Sequence, residues 1–120
     1  MLNIGLLGAG RIGQVHGATL AQMTTARAAA VSDFLPDAAA ALAAKLGATA
    51  MSTEEIIADK SIDAVIIGTP TATHYDIIHE AAAAGKAIFC EKPVDLSTDR
   101  IRECLAVVDK AGVPFMTAFN

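Results

Sequence analysis

Four groups of residues in this chain have types and spacing suited to chemistry. The first is a glycine-rich loop, Gly8-Ala9-Gly10-Arg11-Ile12-Gly13, directly after the apolar run Leu2-Asn3-Ile4-Gly5-Leu6-Leu7. At this spacing Gly8 permits a tight turn out of a strand. Gly10 lets backbone approach a pyrophosphate, and Gly13 lets the next helix lie close on the sheet. Arg11 and Ile12 complete the first helical turn. Its free amides would face phosphate groups, and the helix dipole favours their negative charge.

The second group is Asp33, 25 positions after Gly8. An acid about 20 residues past the loop is where a ribose-binding carboxylate stands in a dinucleotide fold. It would accept hydrogen bonds from the 2′- and 3′-hydroxyls and repel a 2′-phosphate. Phe34 follows, where a 2′-phosphate binder more often offers Arg or Ser. Both residues favour NAD over NADP. The plainer role for Asp33 is to cap the helix that follows, and the two roles can coexist.

The third group is Gly68-Thr69-Pro70-Thr71-Ala72-Thr73-His74, which leaves an apolar strand. This is the topological switch point, where ligands lie outside the carboxyl ends of strands. Thr69, Pro70 and Thr71 are candidates to contact a cofactor there. His74 falls in the first turn of a helix, whose dipole disfavours its protonation. It is a candidate cofactor contact or a solvated surface histidine. The fourth group is Glu91-Lys92-Pro93, at the end of a later strand. A lysine held there can act on a substrate hydroxyl as donor or proton relay. By spacing alone, Lys92 is more simply a surface lysine before a proline turn. The bond before Pro93 is expected to be trans, as most X–Pro bonds are, with the cis form as the alternative.

Other chemistries find no pattern. His16, His74 and His79 are scattered, and no Cys/His cluster has metal-ligand spacing. His16 and His79 read as structural or solvent-facing. There is no GxxxxGK[ST] phosphate loop and no GxSxG nucleophile elbow.

The elements that must position these groups alternate without a break. Strands are expected near 2–8, 28–33, 48–51, 63–68, 87–90 and Val113–Phe119. Helices are expected near 12–24, from Pro36 to Gly47, from Ser52 to Asp59, from Thr73 to Gly85 and from Ser97 or Thr98 to Gly112. Ser52 with Glu55 forms a capping-box pattern, and Thr73 reads as a further cap. Ile101, Cys104, Leu105 and Val108 follow the spacing of one buried helix face. Apolar runs rather than alternation indicate a parallel sheet covered on both faces. The fold expected is α/β: a doubly wound parallel (Rossmann) sheet of about six strands in the order 3-2-1-4-5-6.

Composition narrows the partners. The 120 residues suit one domain, 1–120, and carry a net charge of −4 with no Lys/Arg cluster. That balance argues against nucleic acid, which calls for a basic footprint. No apolar stretch approaches the ~20 residues of a membrane span. No basic region precedes an apolar one at the N-terminus, as a secretory signal requires. Cys90 and Cys104 lack CxxC spacing and read as free thiols of a reducing, cytoplasmic setting.

Taken together, the glycine loop with His16, Thr69-Pro70-Thr71 with His74, and Glu91-Lys92-Pro93 resemble the glucose–fructose oxidoreductase and inositol dehydrogenase family, its inositol 2-dehydrogenases most of all. The likeness spans essentially the whole chain, and Glu-Lys-Pro is its most specific part. It implies oxidation of a polyol or sugar hydroxyl by hydride transfer to NAD(P). It implies that Lys92 positions and deprotonates that hydroxyl and that Glu91 lies near the nicotinamide ribose. It also implies a second domain, supplying most of the substrate pocket and the oligomer interface, that these residues do not include. Phe119-Asn120 then resembles the exit toward it. The expectation is a cofactor domain that binds NAD, associates into a homo-oligomer and turns over little substrate alone. The alternatives are an NAD-sensing module without chemistry and an S-adenosylmethionine-dependent methyltransferase.

Overall fold

The computed structural model describes residues 1–118; Phe119 and Asn120, and with them the end of the expected sixth strand, lie outside the described residues. Six parallel strands form one sheet: β1 (Leu2–Leu7), β2 (Ala26–Ser32), β3 (Thr49–Ala50), β4 (Ala64–Ile67), β5 (Ala87–Cys90) and β6 (Phe115–Thr117). Their order is β3-β2-β1-β4-β5-β6, as the glycine fingerprint implied. The helices are α1 (Arg11–Ala21), α2 (Pro36–Leu46), α3 (Thr53–Ala58), α4 (His74–Ala83) and α5 (Thr98–Ala111).

Local chemistry sets most boundaries. Pro36 opens α2 and Gly47 closes it. Ser52 and Glu55 close a reciprocal capping box on α3. The Ser97 hydroxyl accepts the Arg100 amide at the start of α5. Two expectations fail at helix ends. Helix α1 stops at Ala21 rather than near residue 24. The Leu2 amide already donates to Thr25 O, and β2 begins at Ala26, so residues 22–25 serve the turn. Thr73 does not cap α4 with its side chain. Its backbone is already helical because a 3-10 turn, Thr71–Thr73, runs into α4, whereas a side-chain cap needs an extended residue.

The core lies in two layers. On one face Val65, Ile67, Ile88 and Cys90 pack with Ile56, Ile78, Ala81, Cys104 and Val108. On the other, Leu6 and Val31 pack with Ala39 and Leu42, and Ile4 and Ala28 with Leu20. Lys86 is buried at the amino edge. Its ammonium donates to Asp59 O at 2.8 Å and Ile62 O at 2.7 Å. Burial lowers its pKa, and Asp59 and Asp63 oppose that shift.

The sheet is not covered on both faces throughout. Ala64, Ile66, Ala87 and Phe89 are only half-buried, and Met116, in register with Phe89, is exposed. With Leu2 of β1, Val15 and Thr19 of α1, and Met23 of the turn after α1, they line an apolar groove of about 770 Å³. Helices α3, α4 and α5 pack on the opposite face, and α1 and α2 cover the β1–β3 half of this one. An apolar run in a strand reports hydrophobicity, not which element covers it.

Cys90 and Cys104 are buried free thiols. Burial pushes the Cys90 thiol up to about 12, with Cys104 and Glu91 adding to the shift. Thiolate is the reactive form. Neither thiol should therefore react with an aromatic disulfide reagent at about pH 8 until the chain is unfolded in denaturant. The sign for stability follows. The native state holds the Cys90 proton more tightly than the unfolded chain. That contribution is present below the unfolded value of 9.0 and is lost as pH rises toward about 12. Alkaline melts of Cys90→Ala should fall less steeply than those of the parent.

Candidate functional site: a nucleotide crevice at the carboxyl edge

Gly8 leaves β1 with φ +108°, a left-handed conformation that side chains rarely adopt. A Cβ there would stand 2.7 Å from the Gly68 carbonyl oxygen. The loops after β1 and β4 therefore meet backbone to backbone. A Cβ on Gly13 would overlap the Gly8 carbonyl oxygen. Gly13 thus lets the first turn of α1 close onto its own loop, a more local role than close packing on the sheet. Gly10 differs from both, because a Cβ there would meet nothing within 4 Å. The space in front of it is open.

That opening faces the start of α1. The N-cap residue, Gly10, has no side-chain cap, and the first turn holds no acidic residue. The first amides of a helix have no intrahelical partner. Here no side chain of the helix start answers them, and Arg11 and Ile12 are exposed. Eleven residues of aligned peptides add a positive end. Backbone amides, open space and positive potential suit a diphosphate.

Asp33 stands beside this loop. Its Oδ1 accepts the Ala9 amide at 2.7 Å and its Oδ2 the Leu35 amide at 2.9 Å. The helix-capping role is corrected: the N-cap of α2 is Leu35, with no side-chain cap. The carboxylate instead fixes the glycine loop and its own turn. A carboxylate offers about four lone-pair sites. Two are used here, so capacity remains for a vicinal diol. The groove beyond it has a volume of about 590 Å³ and is lined by Asp33, Phe34, Ser52, Thr53, Glu54, Thr69, Pro70, Ala72, Thr73, Asp76, Ile77 and Glu80. Sequence reading did not place Thr53, Glu54, Asp76 or Glu80 here. The Ser52–Glu55 capping signal was legible, but only the pairing of β3 with β2 brings that turn beside Asp33.

The loop after β4 is internally bonded. The Thr73 hydroxyl donates to Pro70 O at 2.6 Å, and the Thr69 and Thr73 hydroxyls lie 2.6 Å apart. Thr73 has spent its one proton, so Thr69 donates to Thr73. The Thr69 hydroxyl then faces a ligand as an acceptor. Thr71 is half-buried at the start of the 3-10 turn, and Pro70 is exposed just before it. Ile12 packs over Gly68.

His74 is neither a surface histidine nor free to touch a cofactor. It is 1% exposed. Its Nδ1 lies 3.0 Å from Pro93 O and its Nε2 2.8 Å from Thr69 O. The imidazole sits between the β4 loop and the β5 loop, each ring nitrogen facing a backbone carbonyl oxygen. A histidine at the start of a helix carries no local signal of two partners 5 residues back and 19 residues on.

On β5, Glu91 is half-buried and Lys92 exposed, and the Lys92–Pro93 bond is cis rather than the expected trans. Glu91 Oε1 lies 2.5 Å from Nε2 of His16. The His16 ring also meets Phe89 edge-on, with centroids 5.4 Å apart. His16 thus joins α1 to the end of β5. His79 bonds Tyr75 O within its own helix, as a structural histidine does. Among the described residues no His/Cys/Asp/Glu group is arranged to hold a metal ion, and no helix is long and apolar enough to cross a membrane.

The glycine loop, Asp33, Thr69–Thr71 and Glu91–Lys92 stand along one edge of the sheet, at the carboxyl ends of β1, β2, β4 and β5. These parts fit a dinucleotide: amides for a diphosphate, an acid for a ribose, and a groove for the rest of an adenosine.

Comparison with known proteins agrees. A family model described as "Oxidoreductase family, NAD-binding Rossmann fold" matches residues 2–119. Inositol 2-dehydrogenase of Rhizobium meliloti (strain 1021) is 49% identical over 99% of this chain and 36% of its own length. Myo-inositol 2-dehydrogenase of Thermotoga maritima is 34% identical over 99% of this chain and 36% of its own. The crystal structure of GenD2 from gentamicin A biosynthesis, in complex with NAD, superimposes with a TM-score of 0.94 at 30% identity, covering 98% of this chain and 34% of that one. The chain spans about a third of the length of these relatives. With nearly every residue matched and the crevice built as the glycine loop demands, the chain belongs to the oxidoreductase family with an NAD-binding Rossmann fold, that of glucose–fructose oxidoreductase and inositol dehydrogenase.

Proposed function

We propose that this chain is the NAD-binding part of a dehydrogenase that oxidises a hydroxyl of an inositol-like polyol or sugar. The observation that carries the reading is the uncapped, acid-free start of α1 behind the open space at Gly10. The amides of the first turn hold the diphosphate. Asp33 accepts the adenosine ribose diol while it holds the Ala9 amide, and its charge disfavours a 2′-phosphate. Thr69 accepts a hydrogen bond from the ligand over β4. When bound, the nicotinamide supplies the hydride acceptor. Lys92, exposed beside it, orients the substrate hydroxyl and relays its proton.

The relatives' names support the polyol class. Hydride transfer asks for reacting atoms about 3–3.5 Å apart, and such positioning supplies about 7–11 kcal/mol of a barrier. Lys92 stands exposed at this edge, and these 120 residues alone are expected to bind NAD and to turn over negligible inositol. Calorimetric titration tests the reading. NAD should bind more tightly than NADP, and S-adenosylmethionine should not compete. Absence of NAD binding by a folded chain would overturn it.

The chain is also expected to self-associate. The apolar groove beside β6 is the kind of continuous exposed patch that marks an interface. Light scattering should show a dimer or larger species, and Met116→Lys should shift it toward monomer. A monomer at high concentration would refute this.

A further inference from the structure

We propose that His16 is a positioning residue: from helix α1 it holds Glu91, and with it the Glu91-Lys92-Pro93 turn, in register with a bound cofactor. The proposal rests on the NAD-binding reading above.

The geometry behind it is a bridge between two parts of the crevice. Helix α1 begins at the diphosphate cradle, and His16 lies on its second turn. Glu91 leaves β5, two strands away from β1 in the sheet. The His16–Glu91 contact joins them directly. Both side chains are largely shielded, at 21% and 20% exposed. Phe89 meets the imidazole edge-on and limits its rotation. The Glu91 amide donates to Ile67 O at 3.0 Å, so the residue is anchored through its backbone as well.

A dinucleotide lying on this edge has little choice of path. Its diphosphate rests on the start of α1 and its adenosine runs toward Asp33 and β2. The other half must then cross β4 toward β5, since such ligands span the crevice where the strand order reverses. It arrives over Glu91 and Lys92. His16 engages Oε1 of Glu91, which turns Oε2 toward other partners. A ribose hydroxyl is the chemistry that carboxylate oxygen accepts. His16 therefore needs no contact with the ligand to set where its nicotinamide half rests.

The plain alternative is a structural staple between α1 and β5. The two roles differ in which part of the ligand feels the substitution. The experiment is calorimetric titration of the folded chain with NAD and with ADP, which lacks the nicotinamide ribose. His16→Ala should weaken NAD about tenfold, the scale of one charged hydrogen bond, and leave ADP within about twofold. His16→Gln, whose amide donates from a similar reach, should recover most of the loss. Glu91→Gln should resemble His16→Ala, and the double variant should be no worse than either. Should His16→Ala fail to fold, the Glu91→Gln titrations decide the question. Equal weakening of NAD and ADP would overturn the proposal in favour of a staple. Unchanged affinity for both would overturn it outright. A folded parent chain that binds neither nucleotide would overturn the cofactor reading, and this proposal with it.

Discussion

Gly13→Ala is expected to abolish measurable NAD affinity and to lower the melting temperature by roughly 15 °C. The added methyl would occupy the position of the Gly8 carbonyl oxygen. Overpacking of side chains typically costs about 1–3 kcal/mol, because rotamers can adjust. Here the obstacle is backbone, and the loop that carries it is pinned on its other side by Asp33 and Gly68. The cost should sit near the top of that range. A domain of this size loses roughly 5 °C for each kcal/mol. If the helix instead shifts outward to relieve the overlap, the amides of its first turn leave the diphosphate. Thermal melts and NAD titration check both effects. A variant that melts within about 2 °C of the parent and still binds NAD would show that the loop is not pinned as described.

Asp33→Ala should lower NAD affinity by at least tenfold and erase the preference over NADP. The substitution leaves two amides, of Ala9 and Leu35, without their acceptor. Hydrogen bonds to a charged group contribute about 1.5–3 kcal/mol each, and the lower figure is apt for a half-buried carboxylate. About 3 kcal/mol of stability should go with them, much of it from the ordering of the glycine loop. The cofactor effect has a separate cause. Like charges a few ångströms apart near a protein surface repel by up to about 4 kcal/mol, and tenfold discrimination needs only about 1.4 kcal/mol. Removing the carboxylate removes that repulsion. Titration of parent and variant with NAD and NADP provides the four affinities required. A variant that keeps the parent's ratio would assign the preference elsewhere in the groove.

Much of the crevice was legible in the sequence because its signals are local. The glycine spacing, Pro36 with Gly47, and Ser52 with Glu55 each act within a few residues, and each stands where it was read. The strand order followed from the fingerprint at the first loop. What stayed hidden depends on residues brought together by the sheet. His74 has one partner on its own loop and another beyond β5. His16 meets a carboxylate 75 positions away. Lys86 is buried by two carbonyls on the segment before β4. None of these residues carries a neighbour that announces its partner. Thr73 shows the opposite failure, a correct local signal overridden by the 3-10 turn in front of it.

The rim of the crevice is cross-linked before any ligand arrives. Asp33 joins the first loop to the second strand, Gly8 abuts Gly68, and His74 spans the fourth and fifth strands' loops. A nucleotide entering such a frame freezes few torsions in the host. Its association should carry little penalty from loop ordering, and disturbance at one end of the mouth should be felt at the other.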